Sequence, residues 1–265
     1  MKPNKKPQIL LTNDDSIDSP GLWAAAEALA PLGFVHVVAP RVQQTSMGRA
    51  LPRESDGIIE PRALTVNGKE WQVYAVGGSP AQAFLHGYYE VLGFKPDLVV
   101  SGINYGENVA SGITISGTVG AALEAATLGI PALAVSLGIV PGDVTHHYDT
   151  AAAVTARLVD RLESLDLPRG VLLNVNVPNV PYGELRGVVP TRKGVRLYLD
   201  KVSRRTDPRG STYYWMSGRP EDELTEGTDV WAVASGYVSV TPVHMDLTHY
   251  PTLQELDRVV ATHPL

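Results

Sequence analysis

The sequence predicts an α/β fold: a parallel sheet with helices on both faces, followed by a C-terminal β-rich extension. Two observations predict it. Through the first 180 or so residues, short apolar runs bounded by turn residues alternate with Ala-rich helical stretches, which is the pattern of strand–helix–strand crossovers. Beyond that point the alternation stops, and extended segments separated by Pro, Gly and charged residues take over.

Taken in order, Gln8-Ile9-Leu10-Leu11-Thr12 is apolar and closed by a polar cluster, the mark of a buried parallel strand. Gly21 to Ala30 is alanine-rich and helical, and Pro31-Leu32-Gly33 stops it. Phe34 to Ala39 is the second strand, and the crossover makes the pair parallel and right-handed. Arg41 to Pro61 mixes polarity with Gly and Pro, which predicts a long functional loop. Asn67-Gly68 between Ala63–Val66 and Trp71–Val76 is a hairpin signal. Ser79 as N-cap and Pro80 at the first helical position open a helix to about Leu92. Asp97 to Ser101 is a buried strand, Ser116 to Leu128 a helix ended by Gly129, and Pro131 to Ser136 a strand. Asp149 caps a helix to about Leu162, and Val171 to Val177 is the last strand of the alternating part. Extended segments are expected at Leu185–Val202, Ser211–Met216, Val230–Ala234 and Tyr237–Val243, with an amphipathic helix at Thr252–Val260. The expected division is therefore residues 1–183 as the sheet-and-helix domain and 184–265 as an extension packed or exchanged between subunits.

The length, 265 residues, suits one large domain or a domain with an extension. With 22 Lys and Arg against 28 Asp and Glu, the net charge of -6 argues against a nucleic-acid polymer or an anionic membrane as partner, since both need clustered cations. A small anionic substrate stays allowed, because a helix end or a metal can supply local positive potential. The absence of cysteine removes disulfides, thiolate metal sites and a Cys nucleophile. The basic start, Met1 to Pro7, is followed by no adequate apolar leader region, and no apolar stretch approaches membrane-span length, so a cytoplasmic location is expected.

Four segments could carry chemistry. Asn13-Asp14-Asp15-Ser16 follows the first strand, at the edge where open α/β sheets bind ligands. Adjacent carboxylates repel unless a cation neutralises them, and Mg²⁺ and Mn²⁺ favour such oxygens; taken alone, a solvated turn explains the pair equally well. Ser101 to Asn108 follows another strand. Asn104 there offers a carbonyl oxygen to a cation or an amide N–H to a phosphate, while Gly102 and Gly106 permit close backbone approach. Ser116-Gly117-Thr118 opens a small-residue helix, whose free N–H groups and hydroxyls make an anion site. The loop after the second strand holds Thr45 or Ser46 to complete a coordination sphere, and Arg49 to meet a phosphate. Each segment alone is weak; their convergence on one sheet edge describes a site for phosphate and a hard cation. His147 near Asp149 is better explained as a solvated loop than as a proton shuttle, and Trp215 and Trp231 as packing.

In this order the motifs resemble the SurE family, the stationary-phase survival proteins that act as 5′-nucleotidases. The resemblance runs from Ile9–Asp15 (ILLTNDD) through Val37–Pro40 (VVAP), Pro96–Asn104 (PDLVVSGIN), Ser116–Ala125 (SGTVGAALEA), Pro131–Ser136 (PALAVS) and His147–Ala152 (HYDTAA). It continues in Asp207–Gly210 (DPRG), Gly236–Pro242 (GYVSVTP) and Asp246–Thr248 (DLT). The resemblance implies a Rossmann-like core, an oligomer of two or four subunits built through the C-terminal extension, and hydrolysis of nucleoside 5′-monophosphates. Nucleoside 3′-monophosphates and short polyphosphate are attacked by some members.

It also implies one divalent cation per subunit, Mg²⁺ or Mn²⁺, on Asp14, Asp15, Thr45 and Asn104. Phosphate would lie on Asn104, Gly106, Ser116, Gly117 and Thr118, with Asn13, Ser46, Arg49 and Asn108 around them. Asp14, Asp15 and Asn104 then carry the chemistry, and either aspartate also qualifies as nucleophile or base. The chain departs from the family at Ser16, where NDD is usually followed by Gly, and at Thr45, where the hydroxyl residue is usually Ser. It departs again at Gln82, where a carboxylate is usual, and at Val109–Ile115, which lacks the usual Asp and Tyr. Two rivals want other motifs. An Asp-nucleophile phosphatase of the haloacid dehalogenase type needs Asp-x-Asp after the first strand. A dinucleotide-binding module needs G-x-G-x-x-G, yet the first glycine is Gly21.

Overall fold

The computed structural model describes residues 6–139, 142, 144–162, 166–195, 198–220 and 224–262. Residues 1–5 of the basic start, and Arg196 and Leu197 within the expected Leu185–Val202 segment, lie outside the described residues.

The core is a nine-stranded sheet, built from β1 (Gln8–Thr12), β2 (Phe34–Pro40), β3 (Ile59–Val66), β4 (Lys69–Val76), β5 (Leu98–Tyr105), β6 (Ala132–Leu137), β7 (Val171–Val177), β8 (Val188–Pro190) and β11 (Val238–His244). Its strand order is β3-β4-β2-β1-β5-β6-β7-β11-β8. The six strands from β4 to β7 in that order pair parallel, while β3 pairs antiparallel with β4 and β11 antiparallel with β7. The antiparallel hairpin turns at Asn67-Gly68, as its sequence predicts.

Alternation along β1 feeds two cores. Ile9 and Leu11 point to one face, against Leu22, Trp23 and Leu29 of α1 (Pro20–Leu29) and Ala151 and Val154 of α4 (Tyr148–Arg161). Leu10 points to the other face, against Phe84 of α2 (Pro80–His86) and Val119, Ala122 and Ala126 of α3 (Gly117–Thr127). The start of α2 is fixed by a capping box. Ser79 Oγ accepts from the Gln82 N–H at 3.1 Å, and Gln82 Oε1 accepts from the Ser79 N–H at 2.9 Å. The helical run continues past His86 as a wider turn, Gly87–Leu92.

Several expectations need correction. The loop after β2 ends sooner than expected, because β3 begins at Ile59. Helix α4 starts at Tyr148 with His147 at its N-cap, so Asp149 sits in the first turn, where its charge suits the helix dipole. Val230–Ala234 is not extended; it lies in a helix, α5 (Asp229–Ala234), capped by Thr228, whose hydroxyl oxygen accepts from the Trp231 N–H at 3.3 Å. The main sheet also crosses the expected boundary at residue 183, since β8 and β11 extend it. What stands apart is the hairpin of β9 (Tyr198–Thr206) and β10 (Thr212–Pro220), with the helix α6 (Tyr250–Thr262). Among the described residues, no helix is long and apolar enough to cross a membrane.

Candidate active site

Strand order reverses at β1: β2 and β4 lie on one side of it, β5, β6 and β7 on the other. Ligands in open α/β sheets bind at such a reversal, beyond the C-terminal strand ends. Thr12 and Ser101 are register partners of β1 and β5, so Asp14 and Asp15 leave one strand beside the other's Asn104.

Asp14 is only 6% exposed. Its Oδ1 accepts from Thr118 Oγ1 at 2.7 Å and its Oδ2 from the Thr118 N–H at 3.2 Å. The carboxylate therefore engages the positive end of α3 directly. Ser116 caps that helix, its Oγ accepting from the Val119 N–H at 3.1 Å. Glycine is required at two positions here. A Cβ on Gly117 would lie 2.9 Å from the Asp14 side chain, and one on Gly120 would lie 2.0 Å from the Gly48 carbonyl oxygen. The small-residue run Ser116-Gly117-Thr118-Val119-Gly120 thus lets a carboxylate and the loop after β2 close onto one helix.

Burial pushes the Asp14 carboxyl up to about 6; the Thr118 hydrogen bonds oppose the rise and the Asp15 charge adds to it. Burial also raises Asp15, against the Tyr105 N–H, donated to Oδ2 at 2.8 Å, and Gln43 Nε2, donated to Oδ1 at 3.3 Å. Tyr148 stands near enough to feel this charge. Burial first, then the Asp15 carboxylate, push its hydroxyl up to about 12.

Asn104 Nδ2 donates to the Gly106 carbonyl at 2.6 Å, which turns its own carbonyl oxygen into the end a cation can take. The Gln44 N–H donates to the Asp14 carbonyl at 2.7 Å and ties the loop after β2 to the diacid. Thr45 follows that tie directly, and Thr45 and Ser46 are both exposed. Arg49 is turned away from the expected phosphate position. Its Nε donates to the buried Glu124 of α3 at 2.6 Å and its Nη1 to Met245 Sδ at 3.3 Å. The Gly106 N–H is taken by the Leu137 carbonyl at 2.9 Å, so close approach is what Gly106 offers a ligand.

Asn13 Nδ2 donates to the Ser16 carbonyl at 2.8 Å. Among the described residues, Asn13 Oδ1, Thr12 Oγ1 and Ser101 Oγ are buried without a hydrogen-bond partner, all at these two strand ends. Stranded polar atoms are costly, so they favour a filled site. No three His, Cys, Asp or Glu side chains converge among the described residues. The donor set is two carboxylates with neutral oxygens, which fits a hard divalent cation.

The sequence did not point to the support behind Asn108. Its N–H donates to Asn176 Oδ1 at 2.7 Å, its Nδ2 to Ser136 Oγ at 2.9 Å, and its carbonyl accepts from Asn174 Nδ2 at 2.7 Å. Buried Asp229 accepts from the Ala110 N–H at 3.0 Å and the Gly194 N–H at 2.7 Å. Alternating asparagines in the apolar strand Val171–Val177 were the available signal. His147 Nδ1 lies 3.9 Å from a solvated Asp149. Trp231 stacks on Tyr237 with centroids 5.8 Å apart, whereas Trp215 is exposed rather than packed, with the Arg205 guanidinium over its ring. A cavity of about 270 Å³ between α4 and β8 is lined by none of the candidate residues.

Residues 9–200 match the model of the survival protein SurE family. A protein from Geobacter metallireducens described as "5'-nucleotidase SurE" is 45% identical over 251 residues, covering 94% of this chain and 96% of its own. One from Archaeoglobus fulgidus with the same description is 46% identical, covering 91% and 92%. The crystal structure of the SurE protein from Aquifex aeolicus superposes with a TM-score of 0.81 at 38% identity, covering 96% of this chain and 99% of that one.

Proposed function

This chain belongs to the survival protein SurE family, and from that premise we propose that it is a divalent-metal-dependent phosphatase hydrolysing nucleoside 5′-monophosphates to nucleoside and phosphate. One observation carries the site: a buried carboxylate, Asp14, is held against Asp15 at the strand-order reversal and on the start of α3. Two adjacent acids, one buried and one half-buried, favour a cation between them. Asp14, Asp15, Asn104 and Thr45 are the residues that would hold it, one Mg²⁺ or Mn²⁺ per subunit. When bound, such a cation supplies Lewis-acid polarisation of a phosphoryl oxygen.

The protein's own part is positioning. Thr118 spends both its donors on Asp14. Of the expected phosphate residues at the start of α3 it is therefore Ser116 and Gly117, with Asn104, that orient the phosphoryl oxygens while water attacks phosphorus. The nucleoside oxygen leaves with the electron pair of the P–O bond, and the water's proton ends on that oxygen. The shared 5′-nucleotidase description of relatives matched over nearly their full length supports this reading. It also extends to residues 184–265. Exposed Val202, Tyr213, Tyr214 and Trp215 on the β9–β10 hairpin, and Leu253, Leu256, Val259 and Val260 on α6, are apolar surface suited to a homodimer or homotetramer. A cytoplasmic location completes the proposal.

The direct test is Asp14→Ala, assayed by release of inorganic phosphate from nucleoside monophosphates. Nearly complete loss of turnover, with an unchanged circular dichroism spectrum, is expected. Near-normal turnover would sink the assignment.

A further inference from the structure

Beside the diacid stands an aromatic ladder that the phosphate chemistry does not use. Its foot is Tyr148, at the start of α4, packed against the core and against the backbone at Gly21, where an added Cβ would lie 2.8 Å from the tyrosine ring. Its middle rung is His146, edge-on to Tyr148 with centroids 6.1 Å apart. Its outer rung is Tyr105, edge-on to His146 at 4.7 Å and 43% exposed. Tyr105 is also the residue whose backbone N–H holds Asp15, so the exposed ring begins one residue from the carboxylate site. Ile139, 38% exposed, lies against the adjoining Gly106 backbone and continues the wall.

A polar site for phosphate thus borders an exposed aromatic and aliphatic surface braced from beneath. We propose that Tyr105, supported by His146 and Tyr148 and extended by Ile139, is the subsite on which the substrate's nucleobase stacks. This rests on the phosphatase reading and deepens it. Stacking on an aromatic face needs only a π-surface, so the platform accepts any base and favours the larger purines. Tyr105 here is a specificity residue, and His146 and Tyr148 are positioning residues.

The test compares kcat/KM for AMP with kcat/KM for ribose 5-phosphate, which carries the phosphate and sugar without a base. In Tyr105→Ala the backbone N–H to Asp15 remains, so the preference for AMP is expected to fall roughly 10-fold, mostly through KM, and Tyr105→Phe to keep it. An unmoved preference, or an equal drop on both substrates, would overturn the subsite, the second outcome making Tyr105 a support for Asp15 alone. Saturation-transfer NMR with free adenosine reads the same surface without turnover. Adenosine contact seen in the wild type and lost in Tyr105→Ala supports the subsite; equal contact in both overturns it. A wild type that shows that contact yet releases no phosphate from either substrate would overturn the hydrolase reading and leave the subsite standing.

Discussion

The reversal point of the sheet and the C-terminal extension invert the usual rule in opposite directions. At the reversal point, polar groups are buried: Asp14, Asn13, Thr12, Ser101 and Asn108 all lie out of solvent. In the extension, apolar groups are exposed: Trp215 and Tyr214 on the hairpin, Leu256, Val259 and Val260 on α6. Either condition is costly in an isolated chain, and each is relieved by something the chain does not itself contain. The buried Asp14 carboxylate beside half-buried Asp15 favours a small cation. The exposed apolar faces call for another surface of protein. The buried polar groups and the exposed apolar faces are thereby separated along the sequence, although β8 and β11 tie the two regions into one sheet.

That contrast can be broken first at Asp14. Asp14→Asn should cost roughly 10³-fold or more in kcat, read by phosphate release, because it removes a charge proposed to hold the cation. The same change should stabilise the chelated protein. Folded Asp14 titrates at about 6 against the ordinary 3.8, so the fold favours the protonated acid. The resulting penalty is absent below about pH 4, grows between the two values and is complete above pH 6. The stability advantage of Asp14→Asn in chelator should therefore widen as pH rises from 4 to 6 and then level off, to an extent on the order of a few kcal/mol. Denaturant midpoints across that range check it; a constant offset would contradict it.

Next comes Asp229, which joins the two regions by accepting from Ala110 on the site loop and from Gly194 on the way to the hairpin. Asp229→Ala leaves these N–H groups buried and unpaired. A loss of about 2–4 kcal/mol in chemical unfolding is expected, with Asp229→Asn recovering part of it. A loss below ~1 kcal/mol would mean the regions are held together by other means.

What the sequence made legible follows from the range of the interactions involved. β1 and β7 were readable to the residue because each is a short, largely apolar run, rich in Val, Ile and Leu and closed by turn or polar residues. Ser79-Pro80 announced α2, and Asn67-Gly68 the hairpin, since both signals are local. Asp14, Asp15 and Asn104 reach one sheet edge because the residues at and just past the C-terminal ends of adjacent parallel strands emerge there. By contrast, Asp229–Ala234 is too short to display a helical period, and its Thr228 cap was the overlooked clue. That β11 would insert between β7 and β8 depends on pairing across more than 60 residues, which no window can contain. Arg49 was assigned to phosphate on its charge alone, and its partner, Glu124, is 75 residues away.

Two smaller effects sharpen the contrast. Gln82 Nε2 donates to the Pro52 carbonyl at 2.8 Å, and its Oε1 accepts from Ser55 Oγ at 2.8 Å, clamping the loop that carries Thr45. Gln82→Glu keeps the acceptor but sets an oxygen against the Pro52 carbonyl, so KM for nucleoside monophosphate should rise about 3- to 10-fold with little change in kcat. Ending the chain after Met245 should change monomer stability by less than about 1 kcal/mol, since α6 is exposed from Tyr250 to Val260. Sedimentation analysis should show that shortened chain as a smaller assembly than the full one; an unchanged assembly would remove α6 from the interface.

The central claim is tested most directly by phosphate release from a panel of nucleoside monophosphates, with Mg²⁺, with Mn²⁺ and with excess chelator. Release that requires the metal and is abolished by chelator is the predicted result. A folded wild-type protein that releases no phosphate with either metal would contradict it, leaving a nucleotide-binding or assembly role.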